Sequence, residues 1–380
     1  MLAHVIRSQR VSTPLLLASA LTVAGAAGAA AQEHREPDAG KRARQLVTSF
    51  ELPQQVRAAV RELVGLGPAA LPALHVALRD PRPEIVQWAL FASAGLAGDC
   101  ESLREPVRLL ATSSNASVAA AAAHALAALD GRGSTLIVEY DSAHAVEIDA
   151  AGEWHELAKQ PMLMDAARLS DGHLLVTSYR GNCVLELDAQ GGEVWSQRGL
   201  QEPSAAQRLP GGNTLIADSS ALRVIEVDRK GTIVWQYAEH VRPIRVARLG
   251  NGNTLICSYQ ASGLVEVDRD GKVVWQMPGQ DVRDVERLPD DTTLVTRTDE
   301  KRVVLVDRGL RVLQEWKFAF EPRAAELLPD GHLLVGGNGH LVEVDDGGVE
   351  VWSEKVGIIN TVARHGRREP PPAAKPEAGK

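Results

Sequence analysis

Between Thr135 and Trp352 the chain repeats one pattern six times, clearest as RLPGGNTLIADSSALRVIEVDRKGTIVW: a turn, two strand-like runs and a tryptophan. The leucine of the NTLI segment recurs at Leu136, Leu175, Leu215, Leu255, Leu294 and Leu334. The aspartate that ends the VEVD-type run follows it at Asp149, Asp188, Asp228, Asp268, Asp307 and Asp345. Two independent markers therefore share a period of about 40 residues, which restricts the chain to a repeat architecture.

Each unit carries short β-branched runs separated by Gly, Asp and Asn turns, and about 40 residues suit the four short strands of one propeller blade. The hairpin turns LPGGN, DRKG and DRDG imply antiparallel neighbours within a unit, which argues against a parallel β-helix. The first copy begins at Ser134 without its leading strand, and the last ends in INTVARHG (Ile359 to Gly366), which looks like that leading strand alone. Pairing the two ends closes the ring and leaves no free sheet edge between first and last units. The expectation is an all-β six-bladed propeller over 132–366.

A different periodicity precedes it. From about Leu52 to Asp130 apolar residues are spaced three and four apart, with breakers at Gly67-Pro68, Asp80-Pro81, Gly98-Asp99 and Asn115. These are helical hairpins. The stretches RAAVRELVGLG and LPALHVALRD resemble the short bacterial HEAT-like repeat, so 43–131 is expected to be an all-α HEAT-like domain that buries a core by stacking helix pairs.

The N-terminus, with Arg7 and Arg10, the apolar run Pro14 to Val23 and small residues at Ala29 and Ala31, reads as a secretory signal over 1–31. Residues 32–42 read as a linker and 367–380 as a disordered Pro-rich tail. The expected location is periplasmic or secreted, with no transmembrane span. A net charge of -8 argues against nucleic acid as a partner, since phosphate binding needs a basic face. Cys100, Cys183 and Cys257 form no Cys-x-x-Cys pair and are odd in number, so they read as small buried residues.

The run EVDRDGKVVW resembles the tryptophan docking motif of PQQ-like propellers, Asp-x-x-Gly-x-x-x-Trp, and the resemblance makes Trp195, Trp235, Trp275 and Trp352 structural docking residues. The fifth copy departs from it: Trp316 is shifted and is expected to matter less to stability. The RLPGGNTLI half is similar to the repeats of NHL-type and arylsulfotransferase-like propellers. A sulfotransferase of that kind uses a nucleophilic histidine near the axis, yet the segments entering the turn (MDAARL, AAQRL, RVARL, DVERL, AAELL and NTVAR) contain none. His173 and His332 replace the turn asparagines Asn213 and Asn253, and only His240 precedes a leading strand. Nothing in the spacing suggests a metal site or a quinone, so no cofactor is expected.

Residues common to all units belong to the scaffold, so function should lie where the repeat is broken. Arg168, Arg208, Arg248, Arg287 and Arg364 recur and are expected to pair with the neighbouring turn's carboxylates. The loops entering the innermost strands vary, and Arg245, Arg283 and Arg323 fall there in consecutive units, with Asp165, Asp284, Asn360 and His240 nearby. The expected function is non-catalytic binding: an exported scaffold recognising an envelope protein or an anionic small molecule, the arginines forming the ligand site. The alternative is a propeller enzyme of arylsulfotransferase-like or quinoprotein-like type.

Overall fold

The computed structural model of the chain describes residues 36–96, 100–131, 133–239, 241–258, 263–279 and 281–366. The signal segment, the C-terminal tail and His240 lie outside the described residues. Helices come first: α1 (Glu36–Thr48), α2 (Val56–Leu66), α3 (Leu71–Ala77), α4 (Pro83–Ala94), α5 (Glu101–Leu110) and α6 (Ala116–Gly131). The segment read as a linker is thus helical from Glu36 onward. On α2, Val56, Ala59, Val60, Leu63 and Val64 recur at three- and four-residue spacing and are all buried. Asn115 caps α6, its side-chain oxygen accepting from the backbone N–H of Ser117 (3.1 Å) and Val118 (3.2 Å). No helix among the described residues is long and apolar enough to cross a membrane.

The strands follow as antiparallel sheets around an axis. Three lie side by side in sequence order: β4–β7 (Leu163–Arg168, Leu174–Ser178, Cys183–Leu187, Glu193–Arg198), β8–β11 (Pro203–Arg208, Thr214–Asp218, Arg223–Val227, Ile233–Tyr237) and β12–β15 (Pro243–Arg248, Thr254–Ser258, Leu264–Val267, Val273–Met277). A fourth is β16–β19 (Asp284–Arg287, Thr293–Arg297, Arg302–Val306, Val312–Lys317). The fifth has six strands, in the order β20 (Pro322–Leu327), β21 (Leu333–Val344), β22 (Glu350–His365), β1 (Ser134–Glu139), β2 (His144–Ile148) and β3 (Trp154–Lys159).

The propeller therefore has five blades, and the count of six is corrected. In the regular blades a tight turn breaks the chain between second and third strands. In the last unit that connection is Gly336-Gly337-Asn338-Gly339, and β21 runs on without interruption. Its first half pairs with β20 and its second half with β22. Strand β22 likewise pairs with β21 through Glu350 to Ile358 and with β1 through Ile359 to His365. The six leucine markers thus count sequence units, two of which share one sheet. The pairing of the two ends is present, with Leu136 opposite Ala363 and Ile137 opposite Val362.

One contact recurs between neighbouring blades. Glu186, Glu226 and Glu266, on the third strand of their blades, are buried and each receives an arginine from the next blade's innermost strand: Arg208 (2.5 Å), Arg248 (2.9 Å) and Arg287 (3.2 Å). A second arginine from the next blade's turn, Arg229, Arg269 or Arg308, reaches the same carboxylate. The first arginine also lies over the face of Trp195, Trp235 or Trp275, 4.5 to 4.7 Å from the ring centre. The indole N–H of each tryptophan donates to the backbone oxygen of the second arginine at 2.8 to 3.0 Å. Arg168 meets Glu147 (2.5 Å), and within the six-stranded blade Arg364 meets Glu343 (2.9 Å) beneath Trp352. The shared partners are strand glutamates rather than turn carboxylates, and among the described residues only Arg287 of the recurring innermost-strand arginines adds a turn carboxylate, Asp291 (3.0 Å).

Trp316 reverses the expectation from its shifted register. It sits opposite Val303, where other blades place Tyr237 and Met277, and is only 2% exposed. Trp316→Ala should therefore cost about 3–5 kcal/mol, and Trp235→Ala, from a half-buried site, less. Denaturant midpoints at constant m-value decide the order. Truncation after Gly357 removes the strand opposite β1 and should lower Tm sharply, whereas truncation after Gly366 should not; calorimetry of the two distinguishes them.

Candidate functional site

The innermost strands β4, β8, β12, β16, β20 and the second half of β22 line the axis. They run toward the turns that carry the helices, for Gly95 abuts Pro329 and Gly250 abuts Ser117. Residues at their starts therefore face the opposite mouth. Arg323 is there: its guanidinium donates to Asn360 Oδ1 at 2.7 and 3.2 Å and lies 5.9 Å from the ring centre of Tyr140. Among the described residues it makes no ion pair, although the charge of Glu321 acts on it. Burial first, then the neighbouring charge of Arg283, lowers its pKa to about 10.

Arg245 occupies a different place from the other two arginines. From β12 it reaches across the axis to the backbone oxygen of Asn360 and to Thr361 Oγ1 (3.1 Å) on β22. Its Nε donates to Asp284 Oδ1 at 2.9 Å, and Nη1 is 3.6 Å from Asp165 Oδ1. Thr361 Oγ1 in turn donates to Asp165 Oδ1 (2.9 Å). Burial pulls the Arg245 pKa down, yet the charges of Asp284 and Asp165 outweigh it and the net direction is up. Asp165 is itself raised by burial. Arg245, Asp165, Asp284, Asn360 and Thr361 thus form a crossbar of satisfied groups, and Arg283 and Arg323 stand on its outer side.

On the inner side lie groups that the loop comparison missed. One position of the innermost strands reads Ala167, Gln207, Ala247, Glu286, Glu326 and Ala363, and three polar residues in an alanine column were the signal available. Each accepts a backbone N–H from the next innermost strand: Gln207 from Arg248 (2.6 Å), Glu286 from Leu327 (3.4 Å) and Glu326 from Arg364 (2.6 Å). Burial, then the charge of Glu326, raises Glu286 to about 8. Burial raises Glu326 to about 7 against the pull of the Arg364 N–H. His124 of α6 places Nε2 at 3.5 Å from Glu326 Oε1, in a shallow cleft that Asp330, Glu343 and Arg364 also line.

Two groups bring a histidine and two carboxylates close enough to share a metal ion: Asp171, His173, Glu186 and Asp330, His332, Glu343. A simpler role accounts for the histidines. Asn213 and Asn253 donate to Glu226 and Glu266 at 2.8 Å, and His173 and His332 hold Glu186 (3.0 Å) and Glu343 (2.8 Å) from the same turn position. Cys100, Cys183 and Cys257 are all buried, and burial pushes the Cys257 thiol up.

The hydrogen bond to Glu343 raises the His332 pKa, with burial opposing. A folded-state pKa above the unfolded value of about 6.5 gives stability that is full below that value and is lost as pH rises through the folded pKa. His332→Asn keeps the donor without the charge. The stability advantage of the wild type over this variant should be largest near pH about 5.5 and should shrink on raising the pH through the folded pKa; Tm measured across that range checks it.

A family model described as outer membrane protein assembly factor BamB matches residues 145–353. No curated protein matches the chain significantly. Among solved structures, a protein of unknown function from Bacteroides caccae is 18% identical, covering 61% of this chain and 98% of its own at a TM-score of 0.52. A chain of a nidogen/laminin complex is 10% identical, covering 62% and 100% at 0.51. Virginiamycin B lyase from Staphylococcus aureus is 13% identical, covering 60% and 82% at 0.45. For the first two, at these identities, the likeness is one of fold alone. The match to the family model spans more than half of the sequence and falls within the ring, and on that ground the chain belongs to the PQQ-like repeat family of outer membrane protein assembly factor BamB.

Proposed function

We propose that the chain is an exported, non-catalytic binding protein whose ring mouth opposite the helices takes an anionic ligand or an acidic segment of an envelope protein. The carrying observation is Arg323, a partly buried guanidinium that donates to a neutral amide and makes no ion pair among the described residues. Burying a charge beside Arg283 and Arg245 without a counter-ion is costly, and an incoming carboxylate, sulfate or phosphate offsets that cost. Arg245 serves as the floor of the site, because its donors are already committed to Asp284, Asn360 and Thr361. The description of the family as an outer membrane protein assembly factor supports an envelope partner and a periplasmic location.

Calorimetric titration with phosphate, sulfate and an acidic peptide tests this reading. The wild type should bind at least one with an affinity that falls as salt rises. Arg323→Ala should weaken binding at least about tenfold, the loss of one charge-assisted contact, while Arg168→Ala, remote from the mouth, should not. Equal binding by wild type and Arg323→Ala would contradict the site, and turnover of an aryl sulfate ester would contradict the non-catalytic reading.

A further inference from the structure

The junction between blade β16–β19 and the six-stranded blade lacks every member of the contact that holds the three junctions before it. Leu305 stands opposite Gln314 where Glu266 stands opposite Trp275. Leu327 replaces the arginine at the end of the innermost strand, and Asp346 replaces the arginine that follows the turn aspartate. One bond survives the exchange: Gln314 Nε2 donates to the Asp346 backbone oxygen at 3.0 Å, as the Trp275 indole donates to Arg308 at 2.9 Å. Apolar packing fills the rest, with Leu305, Leu327, Val303 and Trp316 in one cluster. Such packing is non-directional, whereas a guanidinium fork on a carboxylate fixes an angle.

Helix α2 lies across this junction. Arg57 and Arg61, one helical turn apart, point from one face. Arg57 donates to Thr292 Oγ1 (3.3 Å) and lies 3.5 Å from Asp290 Oδ2, both on the turn before β17. Arg61 meets Asp346 Oδ2 at 2.5 Å, on the turn before the first half of β22. The two turns belong to the two blades that meet there. The helix is itself anchored, because its apolar face is buried in the helical core.

We propose that the helical segment is a clasp: α2 ties together the one blade junction that, among the described residues, carries no Arg–Glu pair of its own. The junction is a docking surface whose partner is this chain's own helix α2, and breaking the Arg57 and Arg61 contacts loosens the ring there. Site and clasp are independent, since Arg323 faces the other mouth.

Hydrogen exchange on the full chain tests the clasp. Arg61→Glu should speed amide exchange in β18, β19 and β20 roughly fivefold, the scale expected for exposed ion pairs, and leave β8–β11 unchanged. Adding Asp346→Arg to that variant should restore protection, and arginine is compatible with that turn because Arg229, Arg269 and Arg308 occupy its equivalents. Arg42→Ala, which breaks an ion pair with Glu62 inside the helical segment, should leave the junction unaltered. Uniform acceleration, no acceleration at the junction, or no rescue by Asp346→Arg would overturn the proposal.

Discussion

A buried strand glutamate, reached end-on by an arginine of the next blade, sets the geometry on which the rest of the ring depends. The carboxylate of Glu226 holds Arg248 from the adjacent innermost strand, Arg269 from the adjacent turn and Asn213 from its own hairpin. Taking these charges out of water is expensive, and burial lowers the Arg248 pKa to about 10 in spite of Glu226. The cost is offset because the Arg248 guanidinium lies over the Trp235 ring, 4.7 Å from its centre, while it donates to the carboxylate. The contact is directional, so repeating it from blade to blade fixes the angle between sheets and bends the row of blades toward closure.

Because the scaffold uses its repeated arginines this way, the charges that differ between units are left for the axis. There the chain separates two environments. Arg245 spans the axis between β12 and β22 and is satisfied on every side, so the outer mouth with Arg323 is distinct from the acidic column of Glu286 and Glu326 beneath the helices. At the outer mouth Arg323 makes no ion pair among the described residues, whereas the inner column stacks two carboxyl groups whose pKa values burial raises. That asymmetry is the physical basis of the proposed anion preference.

What could be read from the sequence follows from how local each signal is. Periodicity located the helices and the strands, and the phase of the repeat ends located the pairing of Leu136 with Ala363. The blade count failed because the glycine-rich connection at Gly336 to Gly339 reads as a turn, yet β21 and β22 continue through and merge two units into one sheet. Trp316 looked displaced and unimportant, whereas two residues of slippage on the strand carry it into the core. Arg245 was grouped with Arg283 and Arg323 by loop position. Its reach across the axis depends on a distance between strands over 110 residues apart in sequence, which no local pattern encodes.

The junction without the glutamate offers a natural comparison, since Leu305 and Leu327 show that an apolar pair fits the same space. A double-mutant cycle on Glu226 and Arg248, followed by equilibrium unfolding, therefore tests the central claim most directly. If the directional pair organises the ring, Glu226→Leu and Arg248→Leu should each cost about 3–5 kcal/mol by stranding a buried charge, and the double variant should recover most of that loss. Single variants that each cost under about 1 kcal/mol, with no coupling between them, would show that apolar packing alone sets the blade angle.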